Sequence, residues 1–206
     1  MKRILGSGYI KKIDSNGTDG ILIETIKDLH SDYKESKFPI QRMFDDGPID
    51  AFEHYNFTFK FKIPNSLLHI FKYYRIAILT ELPEIELNGY VPPIFFKDGQ
   101  QVIAAEDNEL HTKFHNFYKN LFNFFNKLYE QKVATHQLEY ILPCGRMIEF
   151  YWTVNLNDLM LFLRTNLRSQ MPEAKEIAQA ILEYFKEEFP LLSSIFLKRE
   201  FPPKIV

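Results

Sequence analysis

The stretch that most limits what this chain can fold into is Phe150-Tyr151-Trp152-Thr153-Val154-Asn155 and the residues just after it. An aromatic and β-branched run favours a pleated, half-buried strand. It breaks at Asn155, and Leu156, Leu159, Met160 and Leu163 then recur at helical spacing. Asn155 suits the N-cap, because its side-chain oxygen can accept from free first-turn amides. Asp158 suits the positive end of the helix dipole. The pattern is therefore strand, cap, helix, with no room for a long linker. Arg164 and Arg168 lie four apart and share a face if the helix continues. Two readings stay open for them. They form an anion site beside an amide-rich turn, or they complement the helix C-terminus and face water.

A second strand is predicted over Phe52 to Ile63. Phe57, Phe59, Phe61 and Ile63 alternate with Thr58, Lys60 and Lys62, so one face is apolar and the other solvated or at an interface. Residues 4–14 predict one or two short strands. Thr18 and Asp19 cap a predicted helix over 20–33 with Ile21, Ile23, Ile26 and Leu29 inward. Residues 34–50 are mixed and end at the break Asp45-Asp46-Gly47-Pro48. Pro64-Asn65-Ser66 starts a predicted helix with Leu67, Leu68, Phe71 and Ile78 as apolar positions, and with Lys72 and Arg75 on other sides. Residues 83–107, with Pro83, Gly89, Pro92, Pro93 and Gly99, read as a long loop, which is functional or mobile in a compact domain. Asp107-Asn108 caps the longest predicted helix, about 109–132. Its stripe is Leu110, Phe114, Phe117, Leu121, Phe124 or Phe125, and Leu128. A short helix over 134–141 ends at Leu142-Pro143-Cys144-Gly145. Pro172 opens a helix over 172–187 with Ile177, Ala180, Ile181, Tyr184 and Phe185 inward, and Leu191 to Leu197 adds a last turn or two.

These elements fit one domain over residues 1–206, of mixed α+β class, with a mostly antiparallel central sheet and a bundle of long helices. The 206 residues and 46% apolar content are enough for one large core, and 20 Phe and 11 Tyr enlarge it. A net charge of −2 gives no electrostatic case for nucleic acid or a membrane surface. A lone cysteine, Cys144, rules out an intrachain disulfide and fits a reducing compartment, with the cytoplasm as the default.

Few local constellations carry chemistry. His111 and His115 have metal-ligand spacing, but no third ligand is placed by sequence, and a solvated helix face is the better reading. Glu53-His54 fits a structural pair or part of a site. Cys144 beside Arg146 is a turn cysteine or an activated thiolate. The glycines form no phosphate loop, and Ser66 and Ser169 lack a nucleophile elbow.

Longer segments carry a resemblance. Glu149-Phe150-Tyr151-Trp152-Thr153-Val154-Asn155 with Leu159-Met160 and Phe162-Leu163, then Leu167-Arg168 and Glu176-Ile177, resemble the C-terminal half of the flavin-dependent thymidylate synthases. Phe52-Glu53-His54, Phe57-Thr58-Phe59, Arg75-Ile76-Ala77, Glu81-Leu82 and Ile141-Leu142-Pro143 resemble other family segments in the same order. The resemblance implies a mixed α/β homotetramer that makes dTMP from dUMP. Methylenetetrahydrofolate would give the carbon, and FAD reduced by NADPH the hydride. It assigns Glu81 and Arg168 to the nucleotide, with Arg168 in the catalytic centre. Glu53, Arg75, Ile76, Asn155 and Leu167 go to the flavin.

The family signature Arg-His-Arg-x-x-Ser-x-x-x-x-Ser-x-Arg falls on Tyr73, Tyr74, Arg75, Ile78, Pro83 and Ile85. Only Arg75 survives. An arginine expected shortly before Leu142-Pro143 is Glu139, a flavin-side histidine is Pro48, and an arginine two after Asn155 is Asn157. Each lost charged contact to phosphate is worth about 1.5–3 kcal/mol. Lys72, Arg146 and Arg164 are candidate replacements. Two functions follow as expectations: a divergent enzyme of this family, or a catalytically degenerate relative serving as a structural, regulatory or nucleotide-binding subunit.

Overall fold

The computed structural model describes residues 1–83, 87–92, 94–97, 100–103 and 108–202. Its centre is the pair of long strands foreseen in the sequence. β3 (Asn56–Pro64) and β7 (Met147–Asn155) run antiparallel in register, Phe59 opposite Trp152 and Phe61 opposite Phe150. β1 (Lys2–Ile4), β2 (Gly8–Ser15) and β4 (Ala77–Glu81) complete a sheet of order β1-β2-β3-β7-β4, antiparallel throughout.

Period-two alternation places every second ring of the central strands on one face. Phe57, Phe59, Phe61, Phe150 and Trp152 are completely buried there. Phe61 stacks on Phe150 at 5.1 Å, and Trp152 meets Phe162 at 5.1 Å. Such ring pairs contribute about 0.5–1.5 kcal/mol each beyond area burial. The helices α6 (Leu156–Asn166) and α7 (Pro172–Glu188) supply Leu159, Phe162, Leu163, Ile177, Ile181 and Phe185 to the same core. Pro172 stands in the first turn of α7, as predicted, where its missing N–H costs nothing.

The opposite face is polar. Thr58 meets Thr153 at 2.9 Å, and Lys60 meets Glu149 at 2.8 Å. Burial pushes the Glu149 carboxyl up, but hydrogen bonds from Lys60 and Tyr9 outweigh that and hold it below the ordinary carboxylate range. A depressed carboxyl contributes stability above its unfolded value and loses it as pH falls through the folded one. Acid titration of unfolding is therefore expected to be shallower below the ordinary carboxylate range in Glu149→Gln than in the parent.

Several helices differ from their sequence expectations. α1 (Asp19–Leu29) is capped by Thr18, but Leu22 and Ile26 are its buried residues while Ile21 and Leu29 are exposed. A 3₁₀ turn, Ser31–Tyr33, follows. Two helices arise inside the mixed segment: α2 (Pro39–Asp46) and α3 (Asp50–Glu53). Gly47, at φ 96°, is the left-handed C-cap that makes the predicted break. Phe52 and Glu53 belong to α3, so the strand begins only at Asn56. The helix expected after Pro64 is a short 3₁₀ segment, Asn65–Phe71, and Ile78 lies instead on β4.

The expected loop 83–107 contains a hairpin, β5 (Ile94–Lys97) and β6 (Gln100–Ile103). α4 (Asn108–Glu130) turns most of the predicted stripe inward, with Leu110, Phe114, Leu121, Phe125 and Leu128 half-buried, but its most buried residues are Tyr118 and Phe122, and Phe117 and Phe124 are exposed. Asp107 of its expected cap lies outside the described residues. α5 (Thr135–Leu138) with the turn Glu139–Ile141 matches the short predicted helix, and α8 (Pro190–Glu200) is longer than expected. Among the described residues, no helix is long and apolar enough to cross a membrane.

Candidate functional site

The residues assigned by resemblance fall into three places. The first is built on the strand-to-helix junction. Asn155 is fully buried, and its side-chain oxygen accepts from the Asp158 amide at 2.8 Å, which confirms the predicted N-cap. The Asn155 amide donates to the Ile76 carbonyl at 3.3 Å, and the Ile76 amide donates to Asp158 Oδ2 at 2.7 Å. Arg75 reaches Glu53 Oε1 at 2.5 Å across the end of α3. Glu53, Arg75, Ile76 and Asn155 are thus brought together. His54 shares no side-chain pair with Glu53 there; its carbonyl accepts from Asn16. Asp158 was read from sequence only as a dipole complement. Its partner Ile76 is 82 positions away, so no local signal could have revealed the clamp. The Asn155 side-chain amide nitrogen is buried without a hydrogen-bond partner.

The second place is the far end of α6, about 16 Å along an eleven-residue helix. Leu167 is its C-cap residue. Arg168 lies just beyond, over the Phe201 ring at 4.7 Å, and donates to the Glu200 carbonyl. Arg164 Nε and Arg168 Nη2 lie 3.1 Å and 3.7 Å from one Glu200 oxygen. The helix stops before Arg168, so the two arginines share no helix face, but both converge on one internal carboxylate. A cleft of about 330 Å³ beside them is lined by Gly47, Ile49, Asn157, Arg164, Arg199 and Glu200.

The third place is a cavity of about 910 Å³ where β4 ends. Glu81 ends β4, and Pro83 and Asn88 come from the segment after it, which is zipped to β7 by Leu82 N–H to Glu149 O and Met147 N–H to Asn88 O. Phe122, Phe125, Asn126 and Tyr129 come from α4, and Glu139 and Arg146 from the approach to β7. α4 is seated by Tyr118. A Cβ on Gly89 would come within 2.0 Å of its ring, and one on Gly145 within 2.0 Å of its hydroxyl. Glycine is needed at both positions because the ring touches backbone.

The remaining signature positions are apolar or aromatic. Tyr73 is exposed, and it lines a cleft of about 390 Å³ with Tyr74, Thr165 and Asn166. Tyr74 packs at 6.0 Å from Trp152, and burial pushes its hydroxyl up to about 12. Ile78 is exposed on the edge strand, and Ile85 lies outside the described residues. His111 and His115 are exposed, and no group of three or more metal-ligating side chains exists among the described residues. Cys144 is an exposed turn cysteine.

A solved structure of a UMP/dUMP methylase, PolB from Streptomyces cacaoi, superposes with a TM-score of 0.78 over 92% of this chain and 93% of that one, at 16% identity. At that identity the likeness establishes the fold alone. Curated relatives named flavin-dependent thymidylate synthase align nearly end to end. The one from Thermosipho africanus is 29% identical over 95% of this chain and 93% of its own length. The one from Thermotoga neapolitana is 28% identical over the same shares. The family model described as "Thymidylate synthase complementing protein" matches residues 15–191, so the chain belongs to that family.

Proposed function

We propose that the chain is a divergent flavin-dependent thymidylate synthase-like protein that binds a uracil nucleoside or nucleotide in the cavity where β4 ends. The observation that carries this reading is the cavity itself. It is lined by Glu81, the acid assigned to the nucleotide, and by Pro83 of the signature, and α4 gives it an aromatic wall. A planar heterocycle suits such a wall, and the Asn88 and Asn126 amides can answer an imide edge. The activity this reading points to is reductive methylation of dUMP to dTMP with methylenetetrahydrofolate, FAD and NADPH. Homotetrameric assembly and a cytoplasmic setting belong to the same reading. The exposed Phe117, Phe124 and Tyr129 on α4 suit a subunit contact.

The residues meant for FAD do not fit it as one chain presents them. Tyr73 and Tyr74 replace an arginine and a histidine, and Arg75 carries Glu53. The Ile76 amide is held by Asp158, and the Asn155 oxygen caps α6. A second reading is a catalytically degenerate relative serving as a structural or regulatory subunit. It is favoured by the same observation that both retained arginines, Arg75 and Arg168, already have carboxylate partners.

Three measurements test these readings. Calorimetry with deoxyuridine and dUMP is expected to show binding of at least one, and absence of both overturns the uracil site. A visible spectrum taken with and without added FAD separates the readings. A bound flavin or an FAD-dependent shift, together with rescue of a thymidine-requiring strain, supports the enzyme. Uracil binding with neither of these supports the degenerate subunit.

A further inference from the structure

The sheet has two edges, and they are finished differently. β1 is short and carries Lys2 and Arg3, and shortness and charge both keep an edge from pairing further. β4 has no lysine, proline or bulge, and its ladder with β7 runs without a register shift from Ala77 to Glu81. The Asn155 amide donates to the Ile76 carbonyl and the Leu82 amide to the Glu149 carbonyl, so the even-numbered residues of β4 turn their backbone groups to β7. The backbone groups of Ala77, Leu79 and Glu81 point away from the sheet, and no hydrogen bond from another described residue reaches them. Beside this open edge Ile78 is 68% exposed, and Tyr73, Ile76 and Leu161 are exposed as well. An unpaired edge flanked by exposed apolar groups is a template for strand addition.

The strand fits a second copy of itself. Set antiparallel about a twofold axis through Leu79, that residue faces its own counterpart, and Ala77 faces the counterpart of Glu81. Every open backbone group then finds a partner. Ile78 falls opposite the counterpart of Thr80, a β-branched pair, and no like charges meet. A tetramer of dihedral symmetry needs more than one twofold contact, and the α4 aromatics account for one. We propose that the β4 edge is a self-association surface, where two copies join antiparallel into one continuous sheet. The inference rests on the homo-oligomeric part of the reading above and names the surface of one contact.

Light scattering of the intact chain reads its mass in solution. Ile78→Lys with Thr80→Lys sets lysines opposite lysines across the axis, on side chains that are already exposed, and is expected to halve the mass. Disulfide trapping checks the register. In a Cys144→Ser background, Ile78→Cys with Thr80→Cys brings thiols within disulfide reach and should link two copies under mild oxidation. Ile78→Cys alone should link at least tenfold more slowly, because its two thiols stand diagonally. In an oligomeric protein, a mass unchanged by the lysine pair or a cysteine pair that stays unlinked overturns the inference and leaves homotetrameric assembly standing. A cysteine pair that links to a different polypeptide assigns the edge to a foreign strand and overturns self-pairing. A monomeric parent overturns the assembly and the inference together. The trapping needs no lysine variant, so misfolding of that variant does not protect the idea.

Discussion

Replacing Gly89 with alanine is expected to weaken uracil-ligand binding at least tenfold while leaving the sheet core intact. The added Cβ would fall 2.0–2.3 Å from three atoms of the Tyr118 ring. That ring is the seat of α4, and α4 supplies Phe122, Phe125, Asn126 and Tyr129 to the cavity. Overpacking of this kind costs about 1–3 kcal/mol, and the ring can escape only by moving the helix. The cavity then loses a wall. Calorimetry with deoxyuridine reads the binding loss. Thermal unfolding followed by Trp152 fluorescence reads the core, since that residue is fully buried in the sheet and remote from the slot. Gly145→Ala should act in the same direction, because its Cβ would meet the Tyr118 hydroxyl. Unchanged binding in both variants would show that α4 is not a working wall of the site.

Asp158→Ala is expected to lower the unfolding free energy by about 2–3 kcal/mol, read from the denaturant midpoint at unchanged slope. The carboxylate accepts from the Ile76 amide at 2.7 Å, and it is buried. Hydrogen bonds to charged groups contribute about 1.5–3 kcal/mol. Removing the acceptor also leaves the Ile76 N–H without its partner. Asp158→Asn keeps an acceptor and should recover more than half of the loss. A cost below about 0.5 kcal/mol for the alanine variant would mean that β4 is held in place by its ladder with β7 alone.

These variants show where sequence was and was not enough. β3 and β7 were legible because a two-residue period with aromatic rings on one side has one stable solution, burial of that side. The Asn155 cap was legible because a cap is local. α4 was only partly legible, because Phe114, Phe117, Leu121, Phe122, Phe124 and Phe125 put apolar groups on several faces and its most buried residues, Tyr118 and Phe122, fell outside the predicted stripe. The helix is seated at Tyr118, whose slot is made by two glycines from other segments. α2 and α3 are too short for periodicity to show. The candidate site follows the same division. Glu53, Arg75, Ile76 and Asn155 were named by resemblance and do lie together. Asp158 and Glu200, which occupy them or their neighbours, act across 82 and 32 positions and left no local trace.

The clasp of Glu200 on Arg164 and Arg168 also bears on what inheritance can prove. An arginine that once met a ligand can outlive that ligand if a neighbouring acid recruits it as an anchor for the tail. Its persistence then records the demands of the C-terminal helix, and the ancestral task has to be shown afresh by an experiment that first takes the anchor away.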